Sequence, residues 1–176
     1  MNFIKTLSFT TLTLIVSMLF SQQLHAHMMV AQHGSLNVVD GGVFMVLSLP
    51  VSAFAGIDDD QDGKLSPQEF AIHRAEISEV IHSKVVLKDN SGKLALKGMM
   101  LSPVTAHHAP KAPASQLVVM GRFTLVDSHS ELEYQLGLFG NNATEQTMLI
   151  TATRKEDGSK QKIELSPKKS NYVLFK

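Results

Sequence analysis

The chain contains no cysteine. Disulfides, thiolate nucleophiles, iron–sulfur clusters and cysteine-ligated zinc are therefore excluded together, and any metal must be held by oxygen, imidazole or thioether. It also lacks an excess of charge, with 16 Lys+Arg against 16 Asp+Glu. Without clustered cations there is no general attraction for nucleic acid or for an anionic membrane, because both need a basic surface to replace counterions. H-E-x-x-H, G-x-S-x-G, the P-loop and G-x-G-x-x-G are absent too, so no motif names a reaction and a non-enzymatic role is expected. At 176 residues and 44% apolar, the chain can still bury one core and is neither disordered nor collagenous.

The one mostly apolar run is short. Residues 7–20 follow a start carrying a single cation, Lys5, and stop at the polar Ser21-Gln22-Gln23, before the roughly twenty residues that a membrane span needs. The expectation is a signal peptide over 1–26, cut after the small Ala26, although Leu24 is larger than usual two places earlier. No later segment is apolar enough to span a bilayer, so a mature chain of 27–176 is expected to be periplasmic or secreted.

Leu36, Val38 and Val39 precede Asp40-Gly41-Gly42, and 43–49 follow as a second strand-like run. The Asp-Gly pair supplies positive φ angles for a tight turn, which predicts a β-hairpin whose second strand is central and buried. Ser48 then caps a short helix with Pro50 in its first turn and Val51, Phe54 and Ile57 on one side. Ser66-Pro67-Gln68-Glu69 is a capping box that starts a longer helix, to about His82, with Phe70, Ile77, Val80 and Ile81 sharing a stripe. Beyond Val85 the pattern becomes short strands, 93–101, 117–125, 131–139, 147–153, 162–165 and 171–175, separated by turns such as Asp89-Asn90-Ser91-Gly92. The long irregular stretch 102–116 holds Pro103, Pro110 and Pro113 and is expected to be mobile. The fold class expected is α+β: one domain, an antiparallel β-sandwich of immunoglobulin-like type with a helix–loop–helix inserted after the first hairpin.

One segment states its chemistry. Asp58, Asp60 and Asp62 stand at positions one, three and five of a twelve-residue stretch, Gly63 at six and Glu69 at twelve. Alternate carboxylates on a tightly wound loop point to a common centre, and glycine permits the sharp turn that brings the rest of the ring round. Lys64 would contribute its backbone carbonyl, Ser66 would act through a water, and Glu69 would give both oxygens. About seven oxygen ligands suit Ca²⁺ better than the smaller Mg²⁺. Asp59 and Gln61 are expected to point outward.

This stretch, with its flanking segments over 50–82, resembles the EF-hand family. The resemblance implies a bound calcium ion. EF-hands usually pair through the apolar residue at position eight, here Leu65, yet no second loop is present: with Gly92 or Gly158 at position six, position one would be Leu87 or Thr153 instead of an acid. A lone hand in an exported protein implies weak affinity, on the order of 10⁻⁴–10⁻³ M, and a structural use of the ion. The element order over 34–101 is also similar to the exported N-terminal domain of hydrogenase/urease-accessory permease-type membrane proteins, without their multi-span membrane half. That likeness implies a protein partner of the membrane-transporter kind.

Other constellations carry less. Cleavage after Ala26 would expose His27 beside Met28 and Met29, with His33 nearby and His107-His108 in the irregular stretch, an arrangement that can chelate copper or nickel and that defines the competing reading, a periplasmic transition-metal carrier. Met99, Met100 and Met120 read as core filling, and His73 and His82 as surface residues. Asn142-Ala143-Thr144 matches a glycosylation acceptor or simply a turn.

Overall fold

The computed structural model describes residues 30–105, 109 and 111–176. The expected signal peptide, His27, Met28, Met29 and the pair His107-His108 lie outside the described residues. Strand β1 (His33–Val39) and β2 (Gly42–Pro50) pair antiparallel from Val39↔Gly42 to Gly34↔Leu47. Their turn is the expected one, but the positive φ falls on Gly41 alone (75°) and not on Asp40. The Arg122 guanidinium donates to the Gly41 carbonyl and ties the turn to the next strand of the sheet.

Helix α1 (Pro67–Lys84) follows, then β3 (Val85–Asp89), β4 (Gly92–Lys93), β5 (Leu96–Val104), β6 (Gln116–Thr124), β7 (Leu132–Leu136), β8 (Met148–Arg154), β9 (Lys160–Leu165) and β10 (Asn171–Leu174). They form a six-stranded sheet in the order β5-β6-β2-β1-β8-β9 and a four-stranded sheet in the order β10-β7-β3-β4. All pairings are antiparallel except β1 with β8. Alternation drives the layering: Leu36, Val38, Met45, Leu47, Val119 and Ile150 of one sheet, and Leu87, Leu132, Tyr134 and Leu136 of the other, are buried in a single core. The chain is thus mostly β, two antiparallel-dominated sheets with one α-helix among the described residues.

Several expectations need correcting. Between 50 and the acidic loop there is no α-helix, only a 3₁₀ turn at Val51–Ala53. Pro50 is extended (φ −68°, ψ 142°) because β2 stays paired with β6 as far as Pro50↔Gln116, which uses up the residues that a helix would need. Ser48 caps nothing; it is buried in β2, and its hydroxyl donates to Gln116 Oε1 at 2.6 Å. β2 is interior to its sheet as expected, but Phe44 on its outer face is 48% exposed.

The expected strand 93–101 is split where the chain changes sheets. The Leu94 N–H bonds the Leu87 carbonyl of the small sheet, and the Ala95 carbonyl accepts from Thr124 in the large one. A bulge between Lys97 and Met100, with Gly98 at φ 61°, then inverts the alternation. Met99 packs against the core, whereas Met100 turns outward and is 57% exposed, so it is not core filling. The irregular stretch is shorter than expected, since 102–104 belong to β5 and Gln116 opens β6.

Candidate metal centre

The acidic loop is the link between β2 and α1. Phe54 and Ile57 insert into the core just before it, and Leu65, 1% exposed, does so near its end, so 58–64 are held at the surface between apolar anchors. The sequence dictates the tight winding. Gly63 takes φ 76°, and Gln61 also enters the left-handed region at φ 60°. The Gly63 N–H donates to Asp58 Oδ2 at 2.8 Å, and the Asp62 N–H points between Asp58 Oδ1 (3.1 Å) and Asp60 Oδ1 (3.2 Å).

At the far end Ser66 is the N-cap of α1. Its hydroxyl accepts the Glu69 N–H at 3.2 Å, while Glu69 Oε2 accepts the Ser66 N–H at 2.7 Å, the reciprocal box expected from the sequence. Glu69 Oε1 accepts the Asp59 N–H at 2.8 Å. One carboxylate thereby ties the start of the loop to the start of the helix. Those bonds, from Ser66 above all and then from Asp59, hold the buried Glu69 carboxyl down to about 2, against the opposing effect of burial.

The structure brings together Asp58, Asp60 and Glu69, whose carboxylate oxygens lie within 4.8 Å of one another; among the described residues this is the one such group of acids or histidines. Asp62 shares the loop but not the cluster, and its Oδ1 accepts the Lys64 N–H at 2.8 Å. Mutual repulsion is visible at Asp60. The N–H of Asp62 pulls its carboxyl down, but partial desolvation and the charges of Asp62 and Glu69 outweigh that pull, so the group is raised from its ordinary value. Each carboxylate oxygen that accepts one N–H keeps a second lone pair, so these bonds orient the oxygens without exhausting them. Three converging carboxylates could hold a metal ion of the kind that takes oxygen ligands.

Asp59 points away from the cluster as expected, and it does more than face solvent. Its carboxylate lies 3.0 Å from Nε2 of His73 on α1, whose Nδ1 lies 3.3 Å from Glu76. His73 is 16% exposed and so is not the simple surface residue expected. With a carboxylate at each ring nitrogen, both nitrogens must donate, which is satisfied only by the imidazolium. The bond to Asp59 first, and Glu76 second, raise the His73 pKa despite partial burial.

One contact was not expected from the sequence. The Leu65 N–H donates to the Ala114 carbonyl and the Ala114 N–H donates to the Leu65 carbonyl, both at 2.8 Å, an antiparallel bridge. Leu65 therefore has a partner, supplied by the proline-rich stretch and not by another acidic loop. Nothing in the residue types announced it, because backbone bonds leave no side-chain signature.

The remaining sequence readings are quickly placed. His33 is half-buried in β1 with Nδ1 2.7 Å from the Ala31 carbonyl, and no histidine joins the cluster of converging ligands. Asn142 precedes a 3₁₀ turn at Ala143–Glu145 and donates to Glu145 Oε2 at 3.0 Å. No helix among the described residues is long and apolar enough to cross a membrane. Compared with protein-family models and with curated proteins, the chain matches none.

Proposed function

We propose that the chain is an exported, non-enzymatic calcium-binding protein, in which one EF-hand-type loop uses its ion to stabilise a β-sandwich interaction module. The ligands would be Asp58, Asp60, Asp62, the carbonyl of Lys64, Ser66 through water, and Glu69. The observation that carries the reading is the convergence of Asp58, Asp60 and Glu69 oxygens within 4.8 Å at the offsets one, three and twelve. Ser66 is available beside them, and Asp62, whose Oδ1 alone accepts the Lys64 N–H, would join by turning its carboxylate toward the cluster. The reading includes a finer architecture, an immunoglobulin-like sandwich over 27–176 with the hand at 50–82, and a periplasmic or extracellular setting where calcium is abundant. A component of a membrane transporter is the protein partner this reading assigns.

Calcium at about 10 mM with a dissociation constant of 10⁻⁴–10⁻³ M stabilises a fold that alone binds it by about 1.4–2.7 kcal/mol. For a domain of this size that raises the melting temperature by roughly 3–10 °C. Thermal melts in calcium and in EDTA, beside a calorimetric titration with Ca²⁺ and Mg²⁺, test the proposal. Superimposable melts and no heat from Ca²⁺ would overturn it.

A further inference from the structure

The bridge between Leu65 and Ala114 does not stand alone. Ser115, the next residue, accepts the Val51 N–H on its carbonyl at 3.0 Å. Gln116 pairs with Pro50 and accepts the Ser48 hydroxyl on Oε1 at 2.6 Å. A three-residue segment, 114–116, therefore holds both the chain entering the acidic loop and the chain leaving it. The segment runs directly into β6, which is flanked on both sides by β5 and β2, so it is anchored to the interior of the large sheet.

Leu65 lies between two of the proposed ligand positions, the Lys64 carbonyl and Ser66. Fixing both backbone groups of Leu65 fixes the peptide planes on either side of it, and these planes aim the Lys64 carbonyl and set the start of the capping box. Leu65 and Ala114 are each 1% exposed, so the two bonds are shielded from competing water. A loop pinned at both ends has already lost the freedom that the ion would otherwise have to remove, and its carboxylates are held together against their repulsion.

We propose that 114–116 is a clamp that sets the calcium affinity of the loop, with Ala114 as its positioning residue; this rests on the calcium reading above. The clamp does in one chain what a second hand does in a pair. Because coupling free energies are reciprocal, calcium must tighten the bridge by the factor by which the bridge tightens calcium.

Calcium titration calorimetry on the full chain and on two variants tests this, together with amide exchange of the unsubstituted protein with and without calcium. Ala114→Pro removes the N–H that bonds Leu65 and weakens calcium about five- to tenfold, the equivalent of one backbone hydrogen bond. Ala114→Gly keeps both bonds and loses only the buried methyl, so its melting temperature falls while its calcium affinity stays within about twofold of the parent, which separates positioning from bulk stability. In the unsubstituted protein, saturating calcium slows exchange of the Leu65 and Ala114 amides in step. Equal calcium affinity in the parent and Ala114→Pro overturns the clamp and leaves calcium binding intact. No binding in the parent overturns the calcium reading and the clamp with it. Should Ala114→Pro fail to fold, the exchange data decide: Leu65 and Ala114 amides slowed no more than other buried amides of the large sheet overturn the clamp, and the two slowed together beyond those support it.

Discussion

Glu69 is the residue on which the acidic loop turns, since its two oxygens receive N–H groups from Asp59 and Ser66 and also complete the carboxylate cluster. Replacing Asp58 or Glu69 with alanine should abolish the calcium-dependent rise in melting temperature, whereas Asp59→Ala, which removes a carboxylate facing away from the cluster, should keep most of it. A calcium shift that survives Asp58→Ala and Glu69→Ala would place the ion elsewhere. Gln61 gives a second test, because a non-glycine residue at φ 60° carries a local cost of about 1 kcal/mol. Gln61→Gly should leave stability unchanged or raise it by up to about 1 kcal/mol, and the β-branched Gln61→Val should lower it by about 1–2 kcal/mol in chemical denaturation. The convergence of Asp58, Asp60 and Glu69, the turn at Gly63 and the cap at Ser66 were legible in the sequence because their geometry is local, set by offsets within twelve residues. Ala114 was not, because its part is played by an N–H and a carbonyl that every residue but proline possesses.

Helix α1 was legible at its start, where the capping box forms as the sequence requires, and along its buried stripe. Ile77 and Ile81 are fully buried, while Ile72 on the other side is 60% exposed. Ile77→Ala or Ile81→Ala should therefore cost about 2–5 kcal/mol in urea unfolding, against no more than about 0.5 kcal/mol for Ile72→Ala. Similar losses at all three positions would contradict this packing. The expected inbound helix was illegible for the opposite reason: Ser48 and Pro50 carry helix-start chemistry, but pairing with β6, a partner distant in sequence, keeps them extended. The loop and α1 are also joined by His73, whose pKa is raised in the fold. A group raised on folding stabilises fully below its ordinary value of 6.5, and that contribution fades as pH climbs through the raised value. His73→Ala should thus lower the melting temperature of the calcium-free protein more at pH 6 than at pH 9. An equal loss at both pH values would show that His73 acts through packing and not through its charge.

At the scale of the whole molecule, two sheets share one core, and Tyr134 of the small sheet is its largest fully buried side chain. Strand positions were legible from alternation and turn residues, but sheet membership was not. The parallel pairing of β1 with β8 and the change of sheet at Leu94 and Ala95 depend on contacts between segments far apart in the chain. Tyr134 marks the seam between the layers. Its hydroxyl reaches the Met45 sulfur of the large sheet at 4.0 Å, and burial pushes the phenol pKa up. A thioether is a weak acceptor, so the hydroxyl has lost most of its hydration for little in return. The ring and the hydroxyl therefore act in opposite directions, the first stabilising by the area it buries and the second destabilising by its desolvation. Tyr134→Ala should cost about 3–5 kcal/mol, because the two sheets cannot collapse into the space left behind. Tyr134→Phe keeps the ring and removes only the poorly bonded hydroxyl, so denaturant unfolding should show stability unchanged or raised by up to about 1 kcal/mol. A loss of more than about 1 kcal/mol in Tyr134→Phe would mean that the sulfur contact is a working hydrogen bond, and that the seam is held by polarity as well as by apolar area.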